Sequence, residues 1–345
     1  MTDPIKFCNT CVMPSTRPGS IFKDGKCQAC INYENRNLIF WVGRIHQLDD
    51  LIRRAKLECP TGPNCLVPVS GGKDSYYLVH KAIEIGLTPI LLRVNDIFTM
   101  SHAGKHNLEA MPNEFCCDMI EHTINPYVYR STIVKEFNEY GNFPYVDKTI
   151  YSIPVTYAEK YSIPIILYGE NPMYEYGTAE TESMYDCMEM TSKLLDYKPI
   201  RTTPIFMSYF YPWDGAENYK VARAHGFKTL EELDLWKRHG NIENYDQIDS
   251  IGWQFSNYLK FLKFGFGRVT DIASRWIRAG YMTREEAIEA VIAKDGQLDP
   301  RIWDDFSKST GINPVKVLNI ADKFRNKDLF TEIGDYDWER KYLPS

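Results

Sequence analysis

The sequence predicts an α/β protein with a doubly wound parallel sheet, a small metal-binding module before the sheet and a mostly helical region after it. Three observations predict this class. Two Cys-x-x-Cys pairs lie near the start, strand-like and helix-like segments alternate in the middle, and apolar residues recur at helical spacing over the last third. We expect a metal ribbon at 1–35, a helical connector at 36–63, the sheet domain at 64–200 and the helical region at 201–345.

Composition narrows the classes of function. The 345 residues carry a formal net charge of −6, and 25% of them are charged. This balance makes a nucleic-acid partner unlikely on electrostatic grounds, since such proteins usually present a basic surface. The first residues lack the apolar stretch of a secretory leader, and the longest apolar runs are too short to cross a bilayer. We therefore expect a cytoplasmic protein that does not associate with membranes.

The first four cysteines predict a metal site. Cys8 and Cys11 form one Cys-x-x-Cys pair, and Cys27 and Cys30 form the second. Zinc prefers four thiolates in tetrahedral geometry, and a site with four protein ligands is structural because it leaves no open position. A segment with few apolar residues needs such a cross-link in order to fold. An iron–sulfur cluster and four free thiols are the alternatives.

Helical spacing predicts the regions that flank the sheet domain. In the connector, four apolar residues would share one helix face: Ile45, Leu48, Ile52 and Ala55. Residues 246–267 show the same spacing, and Thr283 with Glu286 forms a capping box before another helix. Each of Asp299-Pro300 and Asn313-Pro314 places a capping residue before a proline at the first helical position.

A glycine-rich loop opens the sheet domain. The apolar run Leu66–Val69 predicts a buried strand, and Ser-Gly-Gly-Lys-Asp-Ser at 70–75 leads from it into a helix. The free N–H groups and the dipole at a helix N-terminus favour an anion, and glycines let phosphate oxygens approach the backbone. Lys73 can neutralise charge, and the hydroxyls of Ser70 and Ser75 can donate hydrogen bonds. An incidental glycine-rich turn is the alternative.

The loop matches neither the Walker A pattern nor the dinucleotide fingerprint. Ser-Gly-Gly-x-Asp-Ser after a strand resembles instead the PP-loop of the ATP pyrophosphatases, whose fold is adenine nucleotide alpha hydrolase-like. The resemblance implies that ATP is cleaved between its α and β phosphates, with Mg²⁺ bound in part by Asp74. It implies that six residues hold the pyrophosphate, with Lys73 and Asp74 also catalytic: Ser70, Gly71, Gly72, Lys73, Asp74 and Ser75.

The same resemblance implies that two later strand ends return to the nucleotide. Asn95, at the end of the run Pro89–Asp96, would lie near the adenosine, because ligands of open parallel sheets sit beyond the carboxyl ends of strands. Gly169 and Asn171 would contact the nucleotide, and Glu170 would serve Mg²⁺ or the substrate in catalysis. An ordinary turn is the alternative, since Gly, Asn and Pro all favour turns.

A longer resemblance covers most of the chain. The segments FCNTCVMPSTRPG, VPVSGGKDSYY, IPIILYGENPMYEYG and FGFGRVTDIASRWIRAGYMTREEAIEAV look like the N-acetyl sugar amidotransferase family of bacterial surface-polysaccharide and nonulosonic-acid pathways. The resemblance implies conversion of a sugar acetamido group into an acetamidino group, with release of AMP and pyrophosphate. Ammonia would come from a separate class I glutaminase subunit, and a cyclase-like subunit can channel it.

Two arginines are candidates for binding the acceptor sugar. Arg268 precedes a predicted helix and Arg201 lies in PIRTTP, and arginine matches phosphate and carboxylate with a planar fork of donors. An ordinary salt bridge is the alternative for each. Two other functions also stay open: a tRNA-thiolating PP-loop enzyme in which Cys116 and Cys117 carry sulfur, and a non-catalytic nucleotide-binding scaffold within a glutaminase complex.

Overall fold

The structure, a computed structural model, describes residues 5–195, 201–334 and 337–345. Its first part is a small ribbon around the four N-terminal cysteines. Strands β1 (Phe22–Lys23) and β2 (Lys26–Cys27) pair antiparallel, and helix α1 (Gln28–Glu34) follows directly. All four cysteine side chains are buried here, so the ribbon closes around sulfur rather than around a core of large apolar residues.

The centre of the molecule is a five-stranded parallel sheet, which confirms the predicted fold class. Its strands are β3 (Cys65–Pro68), β4 (Pro89–Asn95), β5 (Met119–Thr123), β6 (Ile165–Tyr168) and β7 (Thr203–Phe206). They lie in the order β5-β4-β3-β6-β7, so the chain winds outward on one side of β3 and then on the other. The carboxyl ends of β3 and β6 therefore meet where the winding direction reverses, which is where such sheets bind ligands.

The sheet is covered on both faces, which explains its continuous apolar strands. Side chains alternate along β3, so Val67 faces one core while Leu66 faces the other. The sheet also extends further than the predicted boundary at residue 200. Strand β7 begins at Thr203, within the region expected to be helical, and pairs along its whole length with β6.

Most of the other elements in the described part of the chain are helices, one of which forms most of the predicted connector. Their bounds are α2 (Trp41–Glu58), α3 (Lys73–Glu84), α4 (His102–Phe115), α5 (Pro126–Tyr140), α6 (Tyr145–Tyr161), α7 (Pro172–Glu175), α8 (Asp186–Leu195), α9 (Met207–Phe210), α10 (Gly215–Ala224), α11 (Leu230–Leu233), α12 (Phe255–Phe264), α13 (Arg268–Ala279), α14 (Arg284–Lys294), α15 (Pro300–Thr310) and α16 (Pro314–Asp322). A hairpin of β8 (Phe330–Gly334) and β9 (Asp337–Arg340) follows them. Within the described ranges, no helix is both long enough and apolar enough to span a membrane.

The ribbon packs against the C-terminal helices although about 250 residues of chain separate them. Val12 lies in one apolar cluster with Val269 and Ala273 of α13, and Phe266 lies against the four cysteines. Arg17 of the ribbon forms an ion pair with Asp271 of α13. The two ends of the chain therefore form one unit on the side of the sheet where β6 ends.

Candidate active site

The loop between β3 and α3 is closed by its own serines. The Ser75 hydroxyl accepts from the Ser70 amide at 3.0 Å, and the Ser70 hydroxyl accepts from the Gly72 amide at 3.3 Å. Gly71 has φ +85°, and a Cβ there would lie 2.7 Å from the carbonyl oxygen of Gly104. Glycine is therefore required at this position both by the backbone conformation and by the close approach of α4.

Three amides of this loop point to no protein acceptor. The N–H groups of Gly71, Lys73 and Asp74 have no hydrogen-bond partner among the residues that the structure describes. They lie at the N-terminus of α3, a helix of twelve residues, where the helix dipole favours negative charge. We call these three amides the cradle. A phosphate bound in the cradle would satisfy the three donors, as at other helix N-termini.

Two charged groups of the loop are held by each other and by α10. The ammonium of Lys73 lies 2.8 Å from one oxygen of Asp74, and the Asn218 amide donates to the other oxygen at 2.8 Å. Burial favours the neutral amine of Lys73, but Asp74 and Glu243 outweigh burial and raise the pKa of Lys73, so the side chain is charged. Asn218 carries no motif, and sequence reasoning missed its role.

A cavity of about 270 Å³ opens beside the loop at the carboxyl ends of β3, β4 and β6. Its walls are mostly apolar. The lining includes Val69, Leu78, Leu92, Val94, Tyr129, Val146, Ile150, Tyr168 and Gly169. The cavity lies at the switch point of the sheet and adjoins Ser70 and Ser75, so it suits the adenosine of a nucleotide whose phosphates occupy the cradle.

Two carboxylates line this cavity that sequence reasoning did not select. Asp96 accepts from the Ser250 hydroxyl at 2.6 Å and from the Phe98 amide at 2.8 Å, and burial raises the pKa of Asp96 to about 6. Burial also raises the pKa of Asp249, against the opposing charge of Arg93. Asp249 contacts Ser70, which places a carboxylate at the edge of the cradle.

Asn95, the predicted adenosine contact, lies next to this cavity but does not line it. Its amide oxygen accepts from Arg93 at 2.8 Å, and its amide nitrogen donates to Thr123 of β5 at 3.0 Å. The side chain is thus held along the sheet edge, while its neighbour Asp96 faces the cavity.

The three residues after β6 divide between two roles. Gly169 lines the cavity, and a Cβ there would lie 2.8 Å from Trp213. Glu170 lies on the other side, 3.6 Å from the guanidinium of Arg275. Asn171 is buried and caps α7, where its oxygen accepts from the Met173 amide at 3.1 Å and its nitrogen donates to Asp186 at 2.8 Å. Asn171 therefore has no free group for a nucleotide in this arrangement.

A second, polar cleft lies on the far side of the loop. Lys73, Asp74 and Glu170 line it together with residues from distant segments. These are the aromatic residues Tyr33, Trp213, Trp276 and Tyr281 and the charged residues Arg36, Glu175, Asp214, Glu243, Arg275 and Arg278. Helix α13 supplies one wall, α1 and the segment after β6 supply others, and the loop forms the junction with the nucleotide cavity.

The two arginines predicted to bind the acceptor do not lie in this cleft. Arg268 is half-buried at the start of α13, and two of its nitrogens lie 2.9 and 2.6 Å from the oxygens of Asp246. Arg201 is exposed just before the amino end of β7, whereas the loop lies at the carboxyl ends of the strands. Arg275 and Arg278, further along α13, line the cleft instead.

The four N-terminal cysteines converge as the sequence predicts. Their sulfur atoms lie within 4.8 Å of one another, with 3.8 Å between Cys8 and Cys30 and 3.7 Å between Cys11 and Cys27. Four sulfurs at about 2.3 Å from one tetrahedral ion would lie about 3.8 Å apart. The residues therefore fit a single metal ion, because a multi-iron cluster binds its cysteines on separate irons and spreads the sulfurs further. The amides of Cys11 and Met13 also point at these sulfurs.

Cys116 and Cys117 belong neither to this metal site nor to the lining of the cleft. Cys116 is exposed at the left-handed C-cap of α4, and the Cys117 thiol lies near the carbonyl of Phe115. Neither residue lines the cavity or the cleft.

Fold and site together define a class: an α/β protein with a glycine-rich loop, whose free amides suit an anion, at the switch point of a parallel sheet. Part of the chain matches a family described as "LPS biosynthesis protein WbpG-like, C-terminal domain". It matches residues 239–342, just under a third of the chain. The match supports the predicted family resemblance, and the matched region includes the wall of the cleft formed by α13.

Comparison with solved structures gives remote similarity. A predicted subunit of tRNA methyltransferase from Methanocaldococcus jannaschii shows 15% identity and a TM-score of 0.30, over 48% of this chain and 76% of that chain. NMN synthetase from Francisella tularensis shows 12% identity and a TM-score of 0.28, over 57% of this chain and 93% of that chain. The U34-tRNA thiolase NcsA from Methanococcus maripaludis, with its 4Fe–4S cluster, shows 12% identity and a TM-score of 0.33, over 80% of this chain and 86% of that chain. Scores this low support no functional inference. No curated protein matches the chain.

Proposed function

We propose that the protein is an ATP-dependent, AMP-forming amidotransferase that converts the acetamido group of an N-acetyl sugar into an acetamidino group. One observation carries the proposal. The loop with unpaired amides opens on one side to an apolar cavity and on the other to an aromatic, polar cleft, and the region matched to the polysaccharide-biosynthesis family forms a wall of that cleft.

The composition of the cleft suits a sugar acceptor. Sugars present apolar C–H faces and many hydroxyls, so their binding sites combine aromatic rings with carboxylates and guanidinium groups. Trp213, Trp276, Tyr33 and Tyr281 offer the rings, and the acidic and basic side chains of the cleft offer hydrogen-bond partners. This composition also agrees with the name of the family that matches the C-terminal region.

The first step activates the acetamido oxygen. That oxygen attacks the α phosphorus of ATP, the bond between the α phosphorus and the bridging oxygen breaks, and pyrophosphate leaves with the electron pair. The product is an O-adenylated imidate. The amides of Gly71, Lys73 and Asp74 bind the departing pyrophosphate, and the ammonium of Lys73 offsets the charge that develops on it.

The second step replaces oxygen by nitrogen. Ammonia attacks the imidate carbon, AMP leaves with the former acetamido oxygen, and loss of a proton gives the amidine. AMP is a good leaving group, whereas the oxide of an unactivated amide is not. Ammonia would be delivered by a separate class I glutaminase subunit, with a cyclase-like subunit able to channel it, and high ammonium would substitute for both.

Metal ions would act in two places. Asp74, Glu170 and Asp249 are the carboxylates that would hold Mg²⁺ near the cradle, and the ion would neutralise phosphate charge. Zinc at Cys8, Cys11, Cys27 and Cys30 would hold the ribbon against α13. Metal analysis should find one zinc per chain, and a brown protein with a visible iron–sulfur absorption band would contradict the zinc assignment.

AMP formation tests the proposal directly. The purified protein is incubated with ATP, Mg²⁺, ammonium and an N-acetylated nucleotide sugar, and AMP and pyrophosphate are quantified with each component omitted in turn. We expect release of both products only when the sugar and ammonium are present together. Stimulation by tRNA and a sulfur donor instead of the sugar would establish the thiolase alternative. Nucleotide binding with no turnover on any acceptor would favour the scaffold.

A further inference from the structure

The charged side chains that line the cleft are almost all paired with one another. Three ion pairs account for six of them: Lys73–Asp74 at 2.8 Å, Arg275–Glu170 at 3.6 Å and Arg36–Glu175. Arg275 also donates to the hydroxyl of Tyr176, and Arg36 donates to the carbonyl of Trp213. These groups hold the shape of the cleft and leave little charge unmatched.

The two remaining acids of the cleft are also engaged. Asp214 caps α10, where it accepts from the amides of Ala216 at 2.8 Å and Glu217 at 3.1 Å. Glu243 accepts from the Trp276 indole at 2.8 Å, and it is one of the carboxylates whose charge raises the pKa of Lys73. Neither carboxylate therefore needs a further basic partner.

Arg278 is the exception among these groups. Across the described part of the chain, it has neither an ion pair nor a hydrogen-bond partner for its guanidinium, although it is half-buried and lines the cleft. It lies three residues after Arg275 on α13, so both side chains share one helix face. A guanidinium offers a planar fork of donors that matches phosphate and carboxylate oxygens.

We propose that Arg278 binds an anionic group of the acceptor, a phosphate or a carboxylate carried by the sugar, and so selects charged over neutral N-acetyl sugars. The inference rests on the proposed function for the identity of the acceptor as a sugar. It assigns recognition of the acceptor's charge not to Arg268 or Arg201 but to a residue that lines the cleft together with Lys73 and Asp74.

Arg278 also has a position that could serve the fold alone. It lies in the last turn of α13, where a cation stabilises the helix dipole, and close to the metal-site cysteines. A purely structural role predicts equal effects on all acceptors. The two roles are therefore distinguished by comparing acceptors that share the acetamido group but differ in charge.

The experiment compares three acceptors that share the acetamido group. They are UDP-N-acetylglucosamine, which carries phosphates, N-acetylneuraminic acid, which carries a carboxylate, and methyl N-acetylglucosaminide, which is uncharged. For Arg278→Gln we expect the KM of the charged acceptor to rise roughly ten- to a hundredfold, because a charge-assisted hydrogen bond is lost. We expect kcat and the KM of the neutral acceptor to stay nearly unchanged. A rise confined to the nucleotide sugar identifies phosphate, and one confined to the acid identifies carboxylate.

A binding measurement separates this inference from the proposed function. Calorimetry with inorganic pyrophosphate, in the presence of a saturating non-hydrolysable ATP analogue, reports on anion binding outside the loop without any turnover. We expect Arg278→Gln to abolish this binding, and unchanged affinity would overturn the inference. If no acceptor supports AMP release but Arg278→Gln still loses pyrophosphate, the proposed function fails and the anion site stands.

Arg284→Gln is the matched control. Arg284 donates to the carbonyl oxygens of Cys11 at 3.3 Å and Cys8 at 3.4 Å, so it adjoins the ribbon but does not line the cleft. The inference predicts that this variant leaves the preference for charged acceptors intact. An equal KM change in both variants, or loss of metal in Arg278→Gln, would assign Arg278 to the ribbon instead.

Discussion

The phosphate loop and the acceptor cleft share Lys73 and Asp74 but are built in opposite ways. Six consecutive residues, with a strand before them and a helix after them, form the loop and its hydrogen bonds. The cleft collects side chains from α1, the segment after β6, the start of α10, and α13, which are spread over about 250 residues. A site formed by consecutive residues can be predicted from a short stretch of sequence. A cleft formed by separate segments can be predicted only if their packing is known.

The largest predicted effect tests the loop side of this comparison. Lys73→Ala should reduce AMP formation by roughly a hundredfold or more, because the ammonium that offsets pyrophosphate charge is lost. The measurement is kcat at saturating ATP, with thermal unfolding as a check on the fold. Lys81→Ala is the control, because Lys81 lies further along α3, where it pairs with Glu84 and lies over the ring of Tyr211. A near-normal kcat for Lys73→Ala would contradict the proposed role of the loop in AMP formation.

The next effect concerns stability on the cleft side. Arg268→Gln should lower the free energy of unfolding by about 3–5 kcal/mol, because it leaves Asp246 buried without its charge partner. Chemical denaturation measures the loss. If stability were retained and only the KM of the acceptor rose, Arg268 would bind the substrate after all.

A smaller effect is expected at the exit of β6. Asn171→Ala should cost about 1 kcal/mol of stability, the usual loss for a helix cap, with the KM for ATP changed less than twofold. Thermal unfolding and ATP titration distinguish the two roles. A large rise in the KM for ATP at full stability would restore Asn171 to the nucleotide site.

The smallest effect is expected at Arg201. Its exposed side chain lies at the amino end of β7, so Arg201→Gln should change stability by less than about 0.5 kcal/mol and leave turnover unaltered. A marked rise in the KM of the acceptor would show that residues outside the described cleft contribute to binding.

These contrasts explain what sequence reasoning could predict. The strand, glycines and helix of the loop are local signals, and the four cysteines have the spacing of a single-ion site. The role of Asn171 was also encoded locally, because Asn before Pro caps a helix there as it does at Asn313. The same Asn-Pro signal predicts the cap at Asn313-Pro314, whereas the resemblance to a nucleotide-binding segment predicts a different role at Asn171.

The cleft could not be predicted in the same way. Arg268 and Arg278 lie on one helix and share a residue type, and only the position of Asp246 decides that the first is neutralised. Asn218 and Trp213 acquire their roles because α10 packs against α3. Strand β7 lies after the predicted boundary at residue 200 for a related reason, since it is short and becomes a strand through its pairing with β6.

Isotope transfer tests the central claim most directly. An N-acetyl sugar acceptor labelled with ¹⁸O in its acetamido carbonyl is turned over with ATP and ammonium, and the products are examined by mass spectrometry. If the acetamido oxygen attacks the α phosphorus, the label appears in the phosphate of AMP and the sugar product carries an unlabelled amidine. Unlabelled AMP, or ADP as the spent nucleotide, would contradict the account.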